Sequence, residues 1–304
     1  MAERNERAGA PRVFLNYTQA ELDAAYDQAA YQPNIQQLRD RWIANSERTR
    51  ARIGLPERHA YGRSEIEKLD IFRTRGTTAP APIFIFIHGG AWRAGTAKTY
   101  AAPAETFIHA GAHYVVPDFT WVQDAGGSLF PMAQQVRRAI AWVWHNAASF
   151  GGDRDRLYVG GHSSGAHLAA VALTTDWPLS FDLPPDVIKG RLCSSGMYDL
   201  APVRLSHRSS YVKFTDEMVE ELSPIRHLDR LTAPLIVAYG TYETPEFQRQ
   251  ARDFAAAVGD AGKPVELLIG DHYSHLELPE TLCNPYGLLG AAALQQMGLT
   301  PANR

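Results

Sequence analysis

The stretch LYVGGHSSGAHLAA, residues 157–170, decides how the rest of the chain is interpreted. It passes from an apolar run through two glycines and two serines into residues that favour a helix. Gly161, Ser163 and Gly165 match the pattern G-x-S-x-G where a predicted strand gives way to a predicted helix. Flanking glycines permit the sharp turn that exposes a serine hydroxyl at such a junction. We therefore predict that Ser163 is a nucleophile; the alternative is an ordinary turn rich in glycine and serine.

A serine nucleophile needs a general base, and the base is expected after the last strand. The last predicted strand, PVELLIG (264–270), is followed by DHYSHLEL, which offers His272 and His275. His272 is closer to the strand end, so we predict it as the base and place His275 on the following helix. A metal bound by this H-x-x-H pair would lack a third ligand nearby, so neither a metal nor another cofactor is expected.

The acid that orients the base is expected after the preceding strand, PLIVAYG (234–240). The residues that follow it, TYETPEF, contain no aspartate. Glu243 is the first candidate and Glu246 the second, while Asp199, after an earlier predicted strand, is a competing carboxylate. Whichever of them serves, its task is to orient the imidazole and to stabilise its cation.

The segment IFIFIHGGAW, residues 83–92, predicts an oxyanion hole. Gly89 and Gly90 directly follow a predicted strand, and glycines let backbone N–H groups approach a developing oxyanion. The N–H of Ser164 is predicted as a further donor, with an incidental side chain that alanine could replace. His88 is expected to hold the loop rather than to act as a base.

Apolar strands alternate with helical segments from residue 82 to about residue 270, which predicts a mostly parallel sheet with helices on both faces. Sites on such sheets lie at the carboxyl ends of the strands. Residues 1–75 are polar, helix-forming and punctuated by aromatic side chains, so we expect a helical extension near the mouth of the site. The predicted organisation is one α/β domain over residues 1–304, with a wrapping or cap segment over 1–75 and a core over 76–298.

Composition and charge exclude several classes of protein. With 45% hydrophobic and 21% charged residues, the chain has the make-up of a globular protein. A net charge of −3 without a dense Lys/Arg cluster argues against a nucleic-acid partner. No apolar run approaches the length of a membrane span, and the N-terminus lacks the apolar core of a signal peptide. We predict a cytoplasmic enzyme with a small-molecule acyl substrate and no membrane partner; its oligomeric state stays open, with a homodimer as one option.

The chain resembles the α/β-hydrolase-fold arylformamidases, or kynurenine formamidases, of the bacterial type. The resemblance extends from residue 20 to about residue 280 and rests on ELDAAYDQAAYQPN, EKLDIF, FIHGGAWRAG, GHSSGAHLAA, SGMYDLAPV, ELSP, ETPEFQRQARDFA and DHYSH. It implies an α/β-hydrolase fold with Ser163 as nucleophile and His272 as base. Glu243 stands where the family usually has aspartate. The oxyanion hole implied by the resemblance consists of Gly89, Gly90 and Ser164.

The predicted function is hydrolysis of a small N-acyl amide, in the first place an aryl formamide similar to N-formylkynurenine, through an acyl-enzyme on Ser163. A carboxylesterase with the same triad is the alternative, and a non-catalytic ligand-binding protein on this scaffold is a remote one. Aromatic residues near the inferred mouth predict an apolar pocket. They are Trp92, Phe119, Trp121, Tyr198, Tyr273 and Tyr31, with Tyr26 as a further candidate.

Overall fold

A central β-sheet with helices on both faces dominates the computed structural model, which describes residues 10–76 and 79–300. No helix in these two ranges is long and apolar enough to cross a bilayer. The strands are β1 (Arg12–Phe14), β2 (Tyr17–Thr18), β3 (Glu57–Ala60), β4 (Lys68–Phe72), β5 (Ala81–Ile87), β6 (His113–Pro117), β7 (Gly152–His162), β8 (Gly190–Ser194), β9 (Leu235–Gly240) and β10 (Val265–Gly270). The α-helices are α1 (Gln19–Ala25), α2 (Gln28–Tyr31), α3 (Ile35–Ile53), α4 (Ala104–His109), α5 (Phe130–Asn146), α6 (Ser164–Leu173), α7 (Trp177–Phe181), α8 (Leu200–Arg204), α9 (Asp216–Glu221), α10 (Pro245–Asp260) and α11 (Leu288–Gln296).

The main sheet has eight strands in the order β10-β9-β8-β7-β5-β6-β4-β3. Strand β4 pairs antiparallel with both of its neighbours, and every other pairing in this sheet is parallel. Strands β5 and β7 lie side by side, with Ile87 opposite Gly161 near their carboxyl ends. The turns after β5, β7, β9 and β10 therefore meet at one edge of the sheet, where sites of α/β proteins form. The predicted mostly parallel α/β sheet is confirmed.

Strand β5 shows how the sequence builds a core on each face of the sheet. Successive side chains of a strand point to opposite faces. Accordingly, Ile83, Ile85 and Ile87 belong to the hydrophobic cluster beneath α5, α6 and α10, and Phe84 and Phe86 belong to the cluster beneath α4 and α11. Each of these side chains contributes about 1.5–3 kcal/mol through burial. A strand that is buried on both faces reads as a continuous apolar run for this reason.

The sheet extends further towards the N-terminus than the sequence analysis predicted. Strands β3 and β4 form an antiparallel hairpin at its edge, although residues 1–75 were expected to wrap the core as a helical extension. The four residues of β3, ERHA, are exposed or half-buried, so neither an apolar run nor an alternating pattern marks this strand. Residues 1–9 of the predicted wrapping segment lie outside the described residues.

Residues 19–53, which hold α1, α2 and α3, lie against the carboxyl ends of the strands, and we call this segment the roof. Side-chain hydrogen bonds attach it to the core. Tyr26 OH donates to Glu246 Oε2 of α10 at 2.9 Å. On α3, Ser46 Oγ accepts the Ala102 N–H at 3.1 Å. The roof is therefore fixed to the core at both of its ends.

Candidate active site

Ser163 occupies the turn between β7 and α6. Its φ of 59° and ψ of −126° are strained for a serine, and its N–H donates to Ser194 O at 2.9 Å. The turn needs its glycines, because a Cβ on Gly165 would lie 2.1 Å from Ile87 O and one on Gly161 would lie 2.4 Å from Gly165 O. The structure thus has the sharp strand-to-helix turn that the G-x-S-x-G pattern indicates.

Ser163, His275 and Glu243 form a continuous hydrogen-bonded chain. Ser163 Oγ lies 2.9 Å from His275 Nε2, and His275 Nδ1 lies 2.7 Å from Glu243 Oε2. The carboxylate favours a proton on Nδ1, so Nε2 is left to accept the Ser163 O–H. The Glu243 and His275 side chains are only 0% and 5% exposed, so water screens their interaction little. This is the geometry that activates a serine hydroxyl.

The structure contradicts the prediction that His272 is the histidine on Ser163. His272 has a left-handed φ of 62°, its side chain is 71% exposed, and its Nδ1 lies 2.7 Å from Tyr242 OH. The Tyr242 N–H donates to Tyr273 O at 3.0 Å and ties the turn after β9 to the turn after β10. Two residues beyond Tyr273, the chain brings His275 to the serine. Distance from a strand end does not determine the direction of a side chain within a turn, so proximity along the sequence selected the wrong histidine.

Glu243 is held by two further donors in addition to the imidazole. Its Oε1 accepts the Gly240 N–H at 2.7 Å and the Ser195 O–H at 2.6 Å. These hydrogen bonds close the turn after β9 around the carboxylate and satisfy its charge without water. The sequence analysis missed Ser195; its position directly after β8, at the same edge of the sheet, was the available signal.

The two competing carboxylates have other partners. Asp199 accepts the Ala201 N–H at 3.0 Å and caps the N-terminus of α8. Glu246 forms an ion pair with Arg249 at 2.7 Å. Of the three candidate carboxylates, Glu243 is the one that contacts the His275 imidazole.

The turn after β5 brings backbone donors beside the serine. Gly90, Ala91 and Trp92 have φ values of 119°, 54° and 62°. Gly90 and Ala91 line the same cavity as Ser163, and within the described residues neither of their N–H groups has an acceptor. Ser164 is the first residue of α6, so its N–H has no acceptor within the helix. These three N–H groups are available to an oxyanion.

Gly89, which was also predicted as an oxyanion donor, does not line the cavity. A Cβ at this position would lie 2.8 Å from His162 O and 3.2 Å from Ser163 Cβ. Glycine is therefore required at residue 89 so that the turn after β5 can pass close to the end of β7.

The Ser164 side chain is not incidental, contrary to expectation. Its Oγ accepts the Trp92 N–H at 3.1 Å and ties the donor turn to α6. The Trp92 indole N–H donates to His167 Nδ1 at 3.2 Å, and His167 Nε2 donates to Leu222 O at 2.8 Å. Burial lowers the pKa of His167 to about 4, so the ring is neutral and able to accept at Nδ1. Alanine at residue 164 would leave a buried N–H without its acceptor, which costs about 1–3 kcal/mol.

His162, a residue that the sequence analysis missed, supports the triad histidine. Its Nε2 donates to His275 O at 2.8 Å, and the two ring centroids are 4.6 Å apart. Burial, and secondarily the neighbouring His275, lower the pKa of His162 well below its ordinary value. His162 therefore remains neutral beside the His275 ring. Its place directly before Ser163 was the available signal.

Ser163 and His275 open onto a cavity of about 620 Å³ beneath the roof. We call the turns on its opposite side, residues 88–95, 163–164, 241–244 and 271–276, the floor. Within the described ranges, no three His, Cys, Asp or Glu side chains converge as metal ligands do. Four aromatic side chains line the cavity, and Tyr26 alone was among the candidates named from the sequence. They are Tyr26, Trp42, Tyr100 and Tyr211.

The six aromatic residues predicted for the pocket do not line this cavity. Trp92, Phe119 and Tyr198 are packed into the interior, the last two against the rings of His88 and Phe254 at 4.2 Å in each pair. A position near a strand end permits a side chain to point into the core or away from it, and the sequence does not distinguish the two. The other three residues lie elsewhere outside the cavity: Trp121, Tyr273 and Tyr31.

Known proteins are similar to this chain in fold and in sequence. The family model BD-FAE matches residues 69–184. The kynurenine formamidase of Danio rerio is 31% identical over 243 residues, which are 78% of this chain and 80% of that protein. Esterase LipC of Mycobacterium tuberculosis is 29% identical over 222 residues, 64% of this chain and 52% of LipC. The crystal structure of a candidate thioesterase from Silicibacter sp. TM1040 has a TM-score of 0.75 and 25% identity, and the match covers 89% of this chain and 98% of that one.

The fold and the arrangement at its strand ends define an α/β-hydrolase. By the extent of its match to the Danio rerio protein, the chain belongs to the kynurenine formamidase family of that fold. It is therefore a hydrolase, and the resemblance seen in the sequence is confirmed.

Proposed function

We propose that the protein is a serine hydrolase that cleaves an aryl formamide into formate and an aryl amine. The observation that carries the proposal is the chain from Ser163 through His275 to Glu243 at an aromatic-lined cavity. The 31% identity to a kynurenine formamidase supports the choice of a formamide. A cytoplasmic location and a single domain capped by the roof belong to the same proposal.

In the first step, Ser163 Oγ attacks the formyl carbon and its proton passes to His275 Nε2. The new imidazolium is stabilised by Glu243, which accepts its Nδ1–H. The oxyanion that forms is stabilised by the N–H groups of Gly90, Ala91 and Ser164, each worth roughly 10²- to 10³-fold in rate. The N-terminus of α6 adds a favourable dipole at the same point.

In the next steps, the proton moves from the imidazolium to the leaving nitrogen and the C–N bond breaks. The aryl amine departs, and Ser163 retains the formyl group as an ester. Water then attacks the ester carbon while His275 accepts its proton, and formate leaves as the proton returns to the serine oxygen. His162, held neutral by burial, binds the backbone of His275 through both protonation states.

The cavity fits an aryl substrate with a small acyl group. Its volume of about 620 Å³ lies within the range of small-molecule sites, and its aromatic walls suit a flat ring. Small residues, Gly90 and Ala91, lie on the side of the nucleophile. Esters pass through the same kind of oxyanion, and the similarity to the esterase LipC makes a small ester the second candidate substrate.

The test is to measure kcat/KM for N-formylkynurenine and for p-nitrophenyl acetate with wild type and with Ser163→Ala. We expect efficient formamide turnover, and a loss of about 10⁴-fold or more with both substrates in the variant, because the attacking oxygen is gone. Circular dichroism of Ser163→Ala confirms that the variant is folded. EDTA should leave the wild-type rate unchanged.

Each outcome of this comparison has a separate meaning. Ester turnover without formamide turnover would retain the serine mechanism and overturn the formamide assignment. Turnover that survives in Ser163→Ala would overturn the mechanism itself.

A further inference from the structure

Arg208 is a buried cation on the wall of the active-site cavity. It is 5% exposed, although arginine is rarely buried without a partner, and it lines the cavity together with Ser163. Its Nη1 donates to Tyr211 OH at 2.8 Å and its Nη2 donates to Tyr26 O at 2.9 Å. Its Nε is buried without an acceptor. The guanidinium therefore retains unused donors.

No carboxylate forms an ion pair with Arg208 in residues 10–76 or 79–300. Glu246, the buried carboxylate that accepts from Tyr26, is committed to Arg249, with contacts of 2.8 Å to Nε and 2.7 Å to Nη2. Burying a charge without a counter-ion is costly, and arginine does not escape the cost by losing its proton. A group that enters the cavity is the remaining source of negative charge.

The position of Arg208 places it within reach of a substrate bound at the serine. Its Cζ lies 5.9 Å from the ring centre of Phe247, and the His275 ring lies 4.8 Å from the same ring. On another side, its Cζ lies 5.6 Å from the Trp92 ring. These apolar rings lower the local dielectric, which strengthens the attraction between the guanidinium and an anion. Trp92 and His275 belong to the floor, so Arg208 borders the reacting centre.

The other two arginines of the cavity differ from Arg208 in exposure. Arg39 and Arg93 also line it, and both are exposed to solvent. Arg93 lies 4.6 Å above the Tyr211 ring. Exposed charges interact weakly because water screens them. Recognition of an anion is therefore concentrated at Arg208.

From these observations we infer that Arg208 is a specificity-determining residue that binds a carboxylate of the substrate. This inference rests on the proposed function. A formyl group has no further substituent, so the carboxylate belongs to the aryl amine part of the substrate. The planar guanidinium can bind it through two parallel hydrogen bonds, which a neutral isostere cannot replace.

The test uses two aryl formamides that differ in one group, 4-(2-formamidophenyl)-4-oxobutanoate and the corresponding carboxamide. Wild type should favour the carboxylate on the order of 10²-fold in kcat/KM, mainly through KM, since binding remote from the reacting bond is uniform. Arg208→Met should remove the preference, because kcat/KM for the carboxylate falls far more than kcat/KM for the carboxamide. Arg208→Lys should retain part of the preference. The control Arg39→Gln also removes one positive charge from the cavity, at an exposed position, and should retain nearly all of the preference.

A structural role for Arg208 predicts a different result. If Arg208→Met lowers turnover of both substrates equally, or if wild type does not distinguish them, the inference is overturned while turnover itself still supports the proposed function. Calorimetry on Ser163→Ala provides a readout without turnover: the carboxylate should bind it roughly 10²-fold more tightly than the carboxamide. Equal binding would overturn the inference even if Arg208→Met does not fold. Absence of turnover of both formamides by wild type would instead contradict the proposed function.

Discussion

The floor and the roof of the active-site cavity are built by different means. Of the seven non-glycine residues with positive φ in the described part of the chain, five lie in or directly beside the floor. The roof consists of ordinary helices, and Tyr26 is its one hydrogen-bond donor to the buried Glu246 of the core. The five strained residues are Ala91, Trp92, Ser163, Ser195 and His272.

This difference shows where the protein tolerates strain. The floor turns begin at the ends of parallel strands that are paired on one or both sides. The sheet therefore holds their backbones in strained conformations that the same turns would not keep on their own. The roof has no such support; hydrogen bonds, ion pairs and buried apolar side chains hold it against the core. We expect chemistry to depend on the floor, and substrate fit and stability to depend on the roof.

The largest effect is expected from replacing the two histidines of one floor turn separately. His275→Ala removes the base and should lower kcat/KM by about 10⁴-fold or more. His272→Ala should leave kcat/KM within about threefold of wild type, because its side chain is exposed and contacts neither Ser163 nor Glu243. The rates with p-nitrophenyl acetate check both variants. A greater loss in His272→Ala would contradict the triad described above.

The next largest loss of activity is expected from replacing Glu243, the carboxylate that contacts His275. Glu243→Gln removes the charge that stabilises the imidazolium and should lower kcat by about 10²- to 10⁴-fold. Asp199→Asn is the control, because asparagine can still cap α8 and this side chain is outside the triad. Both are checked by steady-state kinetics at pH 8. Equal losses in the two variants would contradict the assignment of the acid.

Acid should destabilise the protein through the buried His167, which accepts a hydrogen bond from Trp92 of the floor. His167 has a folded pKa of about 4, below its ordinary 6.5, so the unfolded chain binds the proton first. Stability is therefore complete above about pH 6.5 and falls as the pH drops towards 4, by about 3 kcal/mol for this residue. Urea unfolding of wild type and His167→Gln between pH 4 and 8 checks this. If the free energy of unfolding depends on pH in His167→Gln as it does in wild type, His167 is not the titrating group.

The smallest effect is expected in the roof. Tyr26→Phe removes the hydroxyl between Glu246 and Gln250, at 2.9 and 2.8 Å, and should cost about 1–3 kcal/mol of unfolding free energy. Tyr31→Phe, on the exposed side of the same segment, should change stability by less than about 0.5 kcal/mol. Urea unfolding at pH 8 measures both. Equal changes would indicate that the roof is not anchored through Tyr26.

The sequence predicted regular structure better than the directions of side chains in turns. The strand β5 and the turn at Ser163 were recognisable because an apolar run and a pair of required glycines leave few alternatives. The hairpin of β3 and β4 was missed because short edge strands carry little pattern. The choice between His272 and His275 failed because three residues of an irregular turn reverse the direction of a side chain.

The pocket shows the limit of prediction from sequence most clearly. Its aromatic walls combine Tyr26 and Trp42 of the roof with Tyr100 and Tyr211 from two other segments, and no local spacing relates the four. Arg208 likewise reads as one more exposed charge in the sequence, and contacts with distant segments, among them Tyr26 of the roof and Phe247 of α10, bury it.

The sequence by itself determined the α/β architecture, the strained serine turn and the order of the residues around it, because these depend on periodicity and on local backbone limits. Tertiary structure decided which histidine meets Ser163, which N–H groups border the cavity and which side chains form its walls. Those features depend on the directions that side chains take where distant strand ends meet. Such directions are set by packing among segments far apart in the chain, and no stretch of sequence contains them.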